Sequence, residues 1–424
     1  MEVEDETYGD GEGGPRWNGV EEAIEDPEEI RVLFCALDSF RGYAKTAHLH
    51  STHLRRQAFY ALPQAHWQLL AQPPFSYLDV LNRVDDAIES NAELCRIILK
   101  CGLRSFGAIG TTSTSNEELV MPAEWTGIAK YNDVDKARST VRQFYRDWSA
   151  EGAVERDACY GPVYRALDAE KARYPDRQPL KVLVPGAGLG RLVFDLCRLG
   201  YHTEGNEISY HQLLGSSYIL NSTERAGQHT IYPWIHSFSN HRSRENQFRS
   251  YKIPDIHPQT TLLETEGIGS MQMCAADFLC LYEDEEHKDT YDAVAAVFFL
   301  DTAPNLIRYL HVIRSCLKPG GVLINVGPLL WHFENHVPSH SGYDGDGDND
   351  DDQTMGIADP GSFELTDDEV VALVEKMGFV IEKREGGLRA PYVQDDRSML
   401  QTVYSASHWI ARKPEIEGEV TAAI

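Results

Sequence analysis

The chain predicts an α/β fold: a mostly parallel sheet covered on both faces, preceded by a helical N-terminal region and interrupted by inserted loops. Three observations carry this. From Leu180 onward, short apolar runs alternate with amphipathic stretches, the rhythm of strands buried between helices. The first of those runs ends in a glycine-rich turn, Gly186-Ala-Gly188-Leu-Gly190, that leads straight into a helical pattern. Before it, apolar residues recur at intervals of three and four rather than two.

In chain order, residues 1–27 are acidic, Gly-rich and poor in apolar positions, so they predict a disordered tail. Residues 28–130 form the helical region, with stripes at Ile30, Leu33, Phe34, Leu37 and Phe40, then Leu54, Phe59 and Leu62, then Leu94, Ile97 and Ile98. The third unit, 131–424, opens on a helix marked by Val134, Ala137, Val141, Phe144 and Trp148. Strands are expected at Leu180 to Val184, His202 to Glu207, Met271 to Ala275, Asp292 to Phe299 and Gly321 to Val326. Helices are expected at Arg191 to Leu199 and Asn305 to Leu317. Phe379 to Arg384 and Tyr404 to Ala411 read as an antiparallel pair at the sheet edge. Insertions fall at 232–266, polar and aromatic without clear periodicity, and at 336–362. The second contains the acidic run Asp344 to Asp352, where Met355 occupies the place at which a calcium loop needs glutamate; a solvated loop is the better reading.

The formal charge of −27 disfavours nucleic acid, which draws on clustered Lys and Arg. No apolar run is long enough to span a membrane and the N-terminus is acidic, so the expectation is a soluble intracellular protein, cytoplasmic with the nucleus as a second compartment. The eight cysteines are scattered without metal-ligand spacing, so no metal is expected and the thiols read as reduced. A small or cationic substrate fits better than a polyanion, and a homodimer is left open.

The turn after Lys181-Val-Leu-Val-Pro185 lets backbone N–H groups approach a ligand, although a plain tight loop has the same glycines. A dinucleotide fold asks for glycine at 191, and the chain has Arg191 there. Glu207, at the end of the next strand, is placed to accept from ribose hydroxyls; its competing reading is a surface glutamate. Asp277 and Phe278 close a further strand and suit an adenine amino group and ring, while a helix N-cap competes for Asp277. The Gly-x-Gly-x-Gly spacing and Leu317-Lys-Pro-Gly-Gly321 before a strand resemble class I methyltransferases, with their Rossmann-like sheet and S-adenosylmethionine cofactor. Many of those carry an acidic residue two places before the first glycine, where this chain has Val184. Gln143 and Arg146 are then candidates for the cofactor's amino-acid end, against a solvated helix face.

From about Arg138 to Pro414 the chain resembles more closely the carnosine N-methyltransferase family. The likeness rests on Gln143-Phe-Tyr-Arg-Asp-Trp-Ser149, Val184-Pro-Gly-Ala-Gly-Leu-Gly-Arg191, Gly205-Asn-Glu207, Tyr232-Pro-Trp-Ile-His-Ser-Phe-Ser-Asn240, Phe298-Phe-Leu-Asp-Thr-Ala303 and Gly327-Pro-Leu-Leu-Trp-His-Phe-Glu-Asn335. It implies methyl transfer from S-adenosylmethionine to a ring nitrogen of the histidine in carnosine, giving anserine. It also implies cofactor contacts at Gln143, Arg146, Gly186, Gly188, Glu207, Asp277, Phe278 and Ala293, and peptide contacts at Asp301, His332 and Tyr404.

Neutral imidazole has one acceptor and one N–H, so an enzyme methylating it must choose the nitrogen. Asp301 or His332 could hold the proton on the distal nitrogen and accept it after transfer. Their competing readings are a helix cap for Asp301, a packed loop histidine for His332 and a strand core residue for Tyr404. Trp234, His236, Phe238 and Asn240 could form a lid, or could pin their own loop. The runners-up are a methyltransferase acting on other histidine peptides or a protein histidine, and a non-catalytic scaffold.

Overall fold

The computed structural model describes residues 26–106, 121–334 and 361–415. The acidic tail read over most of 1–27, and the acidic run Asp344 to Asp352, lie outside the described residues. Thirteen α-helices are described. They are α1 (Pro27–His48), α2 (Leu54–Tyr60), α3 (Gln64–Ala71), α4 (Tyr77–Phe106), α5 (Tyr131–Trp148), α6 (Ala153–Arg173), α7 (Arg191–Arg198), α8 (Tyr210–Asn221), α9 (Arg244–Gln247), α10 (Pro258–Glu264), α11 (Phe278–Tyr282), α12 (Leu306–Cys316) and α13 (Asp367–Lys376). Nine strands accompany them: β1 (Lys181–Pro185), β2 (His202–Glu207), β3 (His229–Ile231), β4 (Tyr251–Ile253), β5 (Met271–Ala275), β6 (Tyr291–Val297), β7 (Leu317–Gly327), β8 (Val380–Pro391) and β9 (Val403–Arg412).

Seven strands form one sheet in the order β5-β2-β1-β6-β7-β9-β8. β5, β2, β1, β6 and β7 run parallel; β9 lies antiparallel to β7, and β8 antiparallel to β9. This is the Rossmann-like arrangement the strand–helix rhythm predicts. The chain direction across the sheet reverses between β1 and β6, which opens a crevice at their carboxyl ends, where α/β sheets take their ligands.

The central strands β1 and β6 and the second half of β7 are buried on both faces because alternate residues enter different layers. Val182, Val184, Ala293, Ala295, Val322 and Ile324 pack into one cluster with α5, α7 and α8. Leu183, Val294, Ala296 and Leu323 pack into the other with α11, α12 and α13. The N-terminal helices do not stand apart: Leu33, Leu37 and Phe40 of α1 and Ile88 and Ile98 of α4 belong to the first cluster.

Two departures from the sequence reading matter for the site. β8 continues past Arg384, its expected end, to Pro391. Glu385-Gly386-Gly387 is absorbed as a bulge, with the register shifting between Glu385 and Leu388 and Gly387 at φ +78°. The β8–β9 hairpin therefore outruns β7, whose last pair is Gly327 with Ser407, and carries Pro391 and Val403 beyond the sheet. The insertion 232–266 contains β4, α9 and α10, and β4 pairs with β3. These elements are three to seven residues long, too short to show a period. Among the described residues no helix is long and apolar enough to cross a membrane, and no group of His, Cys, Asp and Glu is placed to hold a metal ion.

Candidate active site

The glycine turn sits at the mouth of the crevice with all three glycines left-handed: Gly186 at φ +64°, Gly188 at +57° and Gly190 at +74°. It is tied down from three sides. The Ala187 N–H donates to Asn206 O of β2 (2.9 Å), the Trp148 indole donates to Leu189 O (3.0 Å), and a Cβ on Gly190 would meet Leu220 of α8 at 3.0 Å.

Arg191, the residue standing where a dinucleotide fold has glycine, explains part of this rigidity. Its side chain is 6% exposed, donates to Asp195 (3.0 Å), Asp255 (2.7 Å) and the Asp147 carbonyl (3.0 Å), and lies over Trp148. Asp255 also pairs with Arg156 (3.0 Å), which donates to the carbonyls of Arg146 and Ser149. The ion cluster thus joins the start of α7 to the end of α5 beneath the turn.

Glu207 is almost buried. Its Oε2 accepts from Gly188 N–H (2.9 Å), and its Oε1 accepts from the N–H groups of Ile208 (3.0 Å) and Ser209 (2.8 Å). Burial raises its pKa, and the three N–H groups oppose that rise. The surface-glutamate reading does not hold. Gln143 hydrogen-bonds to Gln212, whose own Oε1 is buried without a hydrogen-bond partner among the described residues. That oxygen is also the nearest atom to the place a Cβ on Gly188 would occupy, at 3.9 Å. Arg146, bidentate to Asp147 (2.7 and 2.9 Å), lies over the Tyr392 ring at 5.0 Å and walls the crevice opposite Gly186. An orphaned acceptor and a side-chain-free turn beside a buried carboxylate suit an elongated polar ligand such as S-adenosylmethionine.

Asp277 does cap a helix: Oδ1 accepts from Leu279 N (2.9 Å) and Cys280 N (3.1 Å) at the start of α11. Phe278 turns into an aromatic cluster with Phe299 and Tyr309. Of the expected contacts, Arg146, Gly186 and Gly188 line the crevice, whereas Ala293 lies away from it. It is fully buried in mid-strand, opposite Val182 and Val322. Four residues of strand, about 13 Å, separate it from Val297, which does line the crevice. The resemblance aligned a position, but strand geometry decides which position reaches the ligand.

Beyond the end of β6, Asp301 is 2% exposed in a single turn, Leu300–Thr302. Its Oδ2 accepts from Leu330 N–H (2.9 Å), and its carbonyl accepts from His332 N–H (3.1 Å). Burial raises the Asp301 pKa, against the pull of the Leu330 N–H and the nearby His332. It is not a helix cap, because Asn305 caps α12 by accepting from Arg308 N–H. His332 is exposed, which removes its reading as a packed loop histidine. Tyr404 is half-buried rather than a core residue and meets Phe298 (5.7 Å between ring centres) and Tyr392 (6.1 Å). Burial raises its pKa, and the neighbouring Tyr392 and Asp301 add to the rise.

Three residues here escaped the sequence reading. Phe298 and Tyr392 line the crevice, and Glu155 holds the hairpin end by accepting from Val393 N–H and Gln394 N–H (2.7 Å each). Phe298 lay in a quoted motif without a role; nothing in sequence marks Tyr392 or Glu155. Phe298 (φ +54°), Trp331 (+41°) and Val393 (+43°) are left-handed without being glycine, and such strain concentrates where a site dictates backbone direction. In the insertion, Trp234 donates to the Tyr251 hydroxyl (3.1 Å), and His236 bonds Tyr43 (2.8 Å) and Ser51 (3.2 Å). Those two pin their own loop. Phe238 lies between Arg55 and Arg244, while the Asn240 carbonyl accepts from Met399 N–H (2.8 Å) and the Ser398 hydroxyl (3.2 Å).

The model of the carnosine N-methyltransferase family matches residues 123–415, a span that includes every residue of this site. The chain belongs to that family. A relative from Schizosaccharomyces pombe, named carnosine N-methyltransferase, is 36% identical over 91% of this chain and 97% of its own length. The Rattus norvegicus protein of the same name is 33% identical over 96% of this chain and 92% of its own. The Drosophila melanogaster relative, carnosine N-methyltransferase unmet, is 37% identical over 66% and 56% respectively. Among solved structures, a SAM-dependent methyltransferase from Methanosarcina mazei matches with a TM-score of 0.32 at 15% identity, covering 55% of this chain and 92% of that one. A likeness that loose adds nothing to the topology already described.

Proposed function

We propose that the protein transfers a methyl group from S-adenosylmethionine to the imidazole of carnosine, at the ring nitrogen nearer the main chain, giving anserine. What supports the reading is Phe298, which lines the crevice with Gly186 and Gly188 and meets the Tyr404 ring, in a chain whose relatives are named for this reaction.

S-adenosylmethionine supplies a methyl already activated on a sulfonium. Glu207 accepts from the ribose hydroxyls, the turn at Gly186 and Gly188 takes the backbone-close part, and Gln143, Gln212 and Arg146 hold the amino-acid end. Asp277 and Phe278 flank the adenine. Placement in a dry site accounts for about 7 to 11 kcal/mol of barrier in reactions of this kind. Imidazole, with a pKa of about 6.5, is largely neutral at pH 7 and needs no strong base to start.

Asp301 selects the nitrogen. It accepts from the distal N–H, which leaves the lone pair on the nearer nitrogen facing the methyl. As the new N–C bond forms the methyl–sulfur bond would break, the donor leaving as a neutral thioether; the ring becomes an imidazolium, and Asp301 or His332 takes up its distal proton. A buried carboxylate with a raised pKa is a better acceptor for that proton than an ordinary one. Tyr404 and Phe298 pack the ring in place. The partner is thus a small peptide rather than nucleic acid, and the compartment the cytoplasm with the nucleus, in keeping with the acidic composition.

The test is incubation with labelled S-adenosylmethionine and a panel of histidine peptides, with mass spectrometry locating the methyl. Carnosine methylated at the nearer nitrogen is expected. Preference for another peptide or a protein histidine would replace the substrate, and absence of cofactor binding by calorimetry would leave a scaffold.

A further inference from the structure

The crevice has a neighbour. Between the outer face of α5, the insertion Pro233 to His241 and the loop Val393 to Thr402 lies an open cavity of about 290 Å³. The two spaces share a wall. Arg146 and Tyr392 line the crevice, while Arg142, one turn earlier on the same helix face, and Val393, the residue after Tyr392, line the cavity. The wall itself is the Arg146 guanidinium lying on the Tyr392 ring.

What distinguishes this cavity is polar capacity left unspent. Arg138 is paired with Asp135, but Arg142 makes no ion pair among the described residues and faces the Trp234 ring at 5.7 Å. Its side chain is accessible from the cavity, yet surrounding protein and Arg138 together make its charge costly, which lowers its pKa. A cation so placed is stabilised by an incoming anion. Asp395 spends Oδ1 on Arg249 (3.2 Å) and on Arg397 N–H (3.0 Å), while its Oδ2 is buried without a partner. His241 donates from Nε2 to Ser237 O (2.9 Å), and its Nδ1 is also unpartnered. An exposed cation without an ion pair among the described residues suits a single carboxylate better than a polyphosphate, which Asp395 would repel.

We propose that this cavity is the subsite for the main-chain end of the peptide substrate, with Arg142 anchoring its terminal carboxylate. The assignment rests on the reading of the protein as a histidine-peptide methyltransferase. An imidazole held at Asp301 and Tyr404 sends the rest of its peptide past the Arg146–Tyr392 wall to Arg142. Selection for a free α-carboxylate follows, which excludes histidine within a protein chain.

The test is steady-state kinetics on the full chain with paired substrates, carnosine and its C-terminal amide, and with the same acid and amide pair for any histidine peptide preferred in the panel. Wild type is expected to favour the acid in kcat/KM by about 10- to 100-fold, the range for a charge-assisted hydrogen bond that the uncharged amide cannot make. Arg142→Ala is expected to bring the acid-to-amide ratio close to one, and Arg142→Lys to restore part of it. Calorimetric affinity for S-adenosylmethionine should stay unchanged in both. A wild-type ratio near one, which needs no variant to fold, overturns the subsite alone, as does a ratio preserved in Arg142→Ala. Wild type that turns over neither member of any pair overturns the functional reading and the subsite with it.

Discussion

Asp301 is a buried carboxylate just past the end of β6, and that burial raises its pKa. Its carboxylate accepts from the Leu330 N–H at Oδ2 and is also stabilised by its own backbone N–H. Asp301→Asn keeps shape but cannot take up a proton. Turnover on carnosine should fall by about 10²-fold or more, the range for losing proton-transfer help, with calorimetric affinity for S-adenosylmethionine unchanged. The stability consequence has the opposite sign from that of a structural carboxylate. A carboxyl whose folded pKa lies above its unfolded value weighs against the fold once pH exceeds the unfolded value, and fully so above the folded one. Asn should therefore leave thermal stability at pH 7 equal or higher, with the gain fading below the normal carboxylate pKa. A lower melting temperature with unchanged turnover would make Asp301 a structural residue.

At the scale of single elements, the glycine turn works because β2 and α8 come close enough to hold it. Gly188→Val asks a β-branched residue to adopt φ +57° and to occupy the space beside the orphaned Gln212 oxygen. Cofactor binding should vanish in calorimetry while the circular dichroism spectrum is retained; normal affinity would move the cofactor elsewhere. Gly205 has a different reason. Its φ is ordinary, but a Cβ there would meet Met273 Sδ at 2.5 Å, Val193 at 2.7 Å and Ala187 at 2.9 Å, so α7 and the turn could not lie so close on β2. Gly205→Ala should cost about 1 to 3 kcal/mol in urea denaturation, as overpacking does, and weaken cofactor binding through the displaced turn. A cost indistinguishable from zero would mean that the strand yields freely.

Over the whole molecule, the buried ions carry the connection between layers. Asp255, from the segment leading to α10, is the shared partner of Arg156 on α6 and Arg191 on α7, all three nearly inaccessible. Asp255→Ala leaves two guanidinium groups facing each other, and breaking a buried pair from one side typically costs about 3 to 5 kcal/mol. Urea denaturation should show a loss of that size, accompanied by weaker cofactor binding because the turn rests on Arg191. A loss under about 1 kcal/mol would mean that water reaches the cluster and replaces the carboxylate.

The sequence by itself determined the sheet, its parallel core, the edge hairpin and the location of the cofactor turn. Those follow from local periodicity, from glycines that tolerate φ above zero, and from motifs a few residues long. It also marked Glu207, Asp301 and His332, because each lies just past a strand end, where any α/β sheet opens its crevice. Tertiary structure alone decided what those groups have left to give. Burial orphaned the Gln212 and Asp395 oxygens and raised the Asp301 pKa, and neither can be seen without the neighbours. It showed Ala293 to lie below the crevice, since reach depends on strand rise rather than on alignment. It turned Gly386-Gly387 from an expected strand end into a bulge, and so delivered Tyr392 and Tyr404 to the site. Arg142 carried no mark in the sequence; the packing of the insertion and the hairpin loop around α5 places its exposed side chain at a cavity. A side chain's chemistry is local, but its remaining hydrogen-bonding and charge capacity is set by partners far away in the chain.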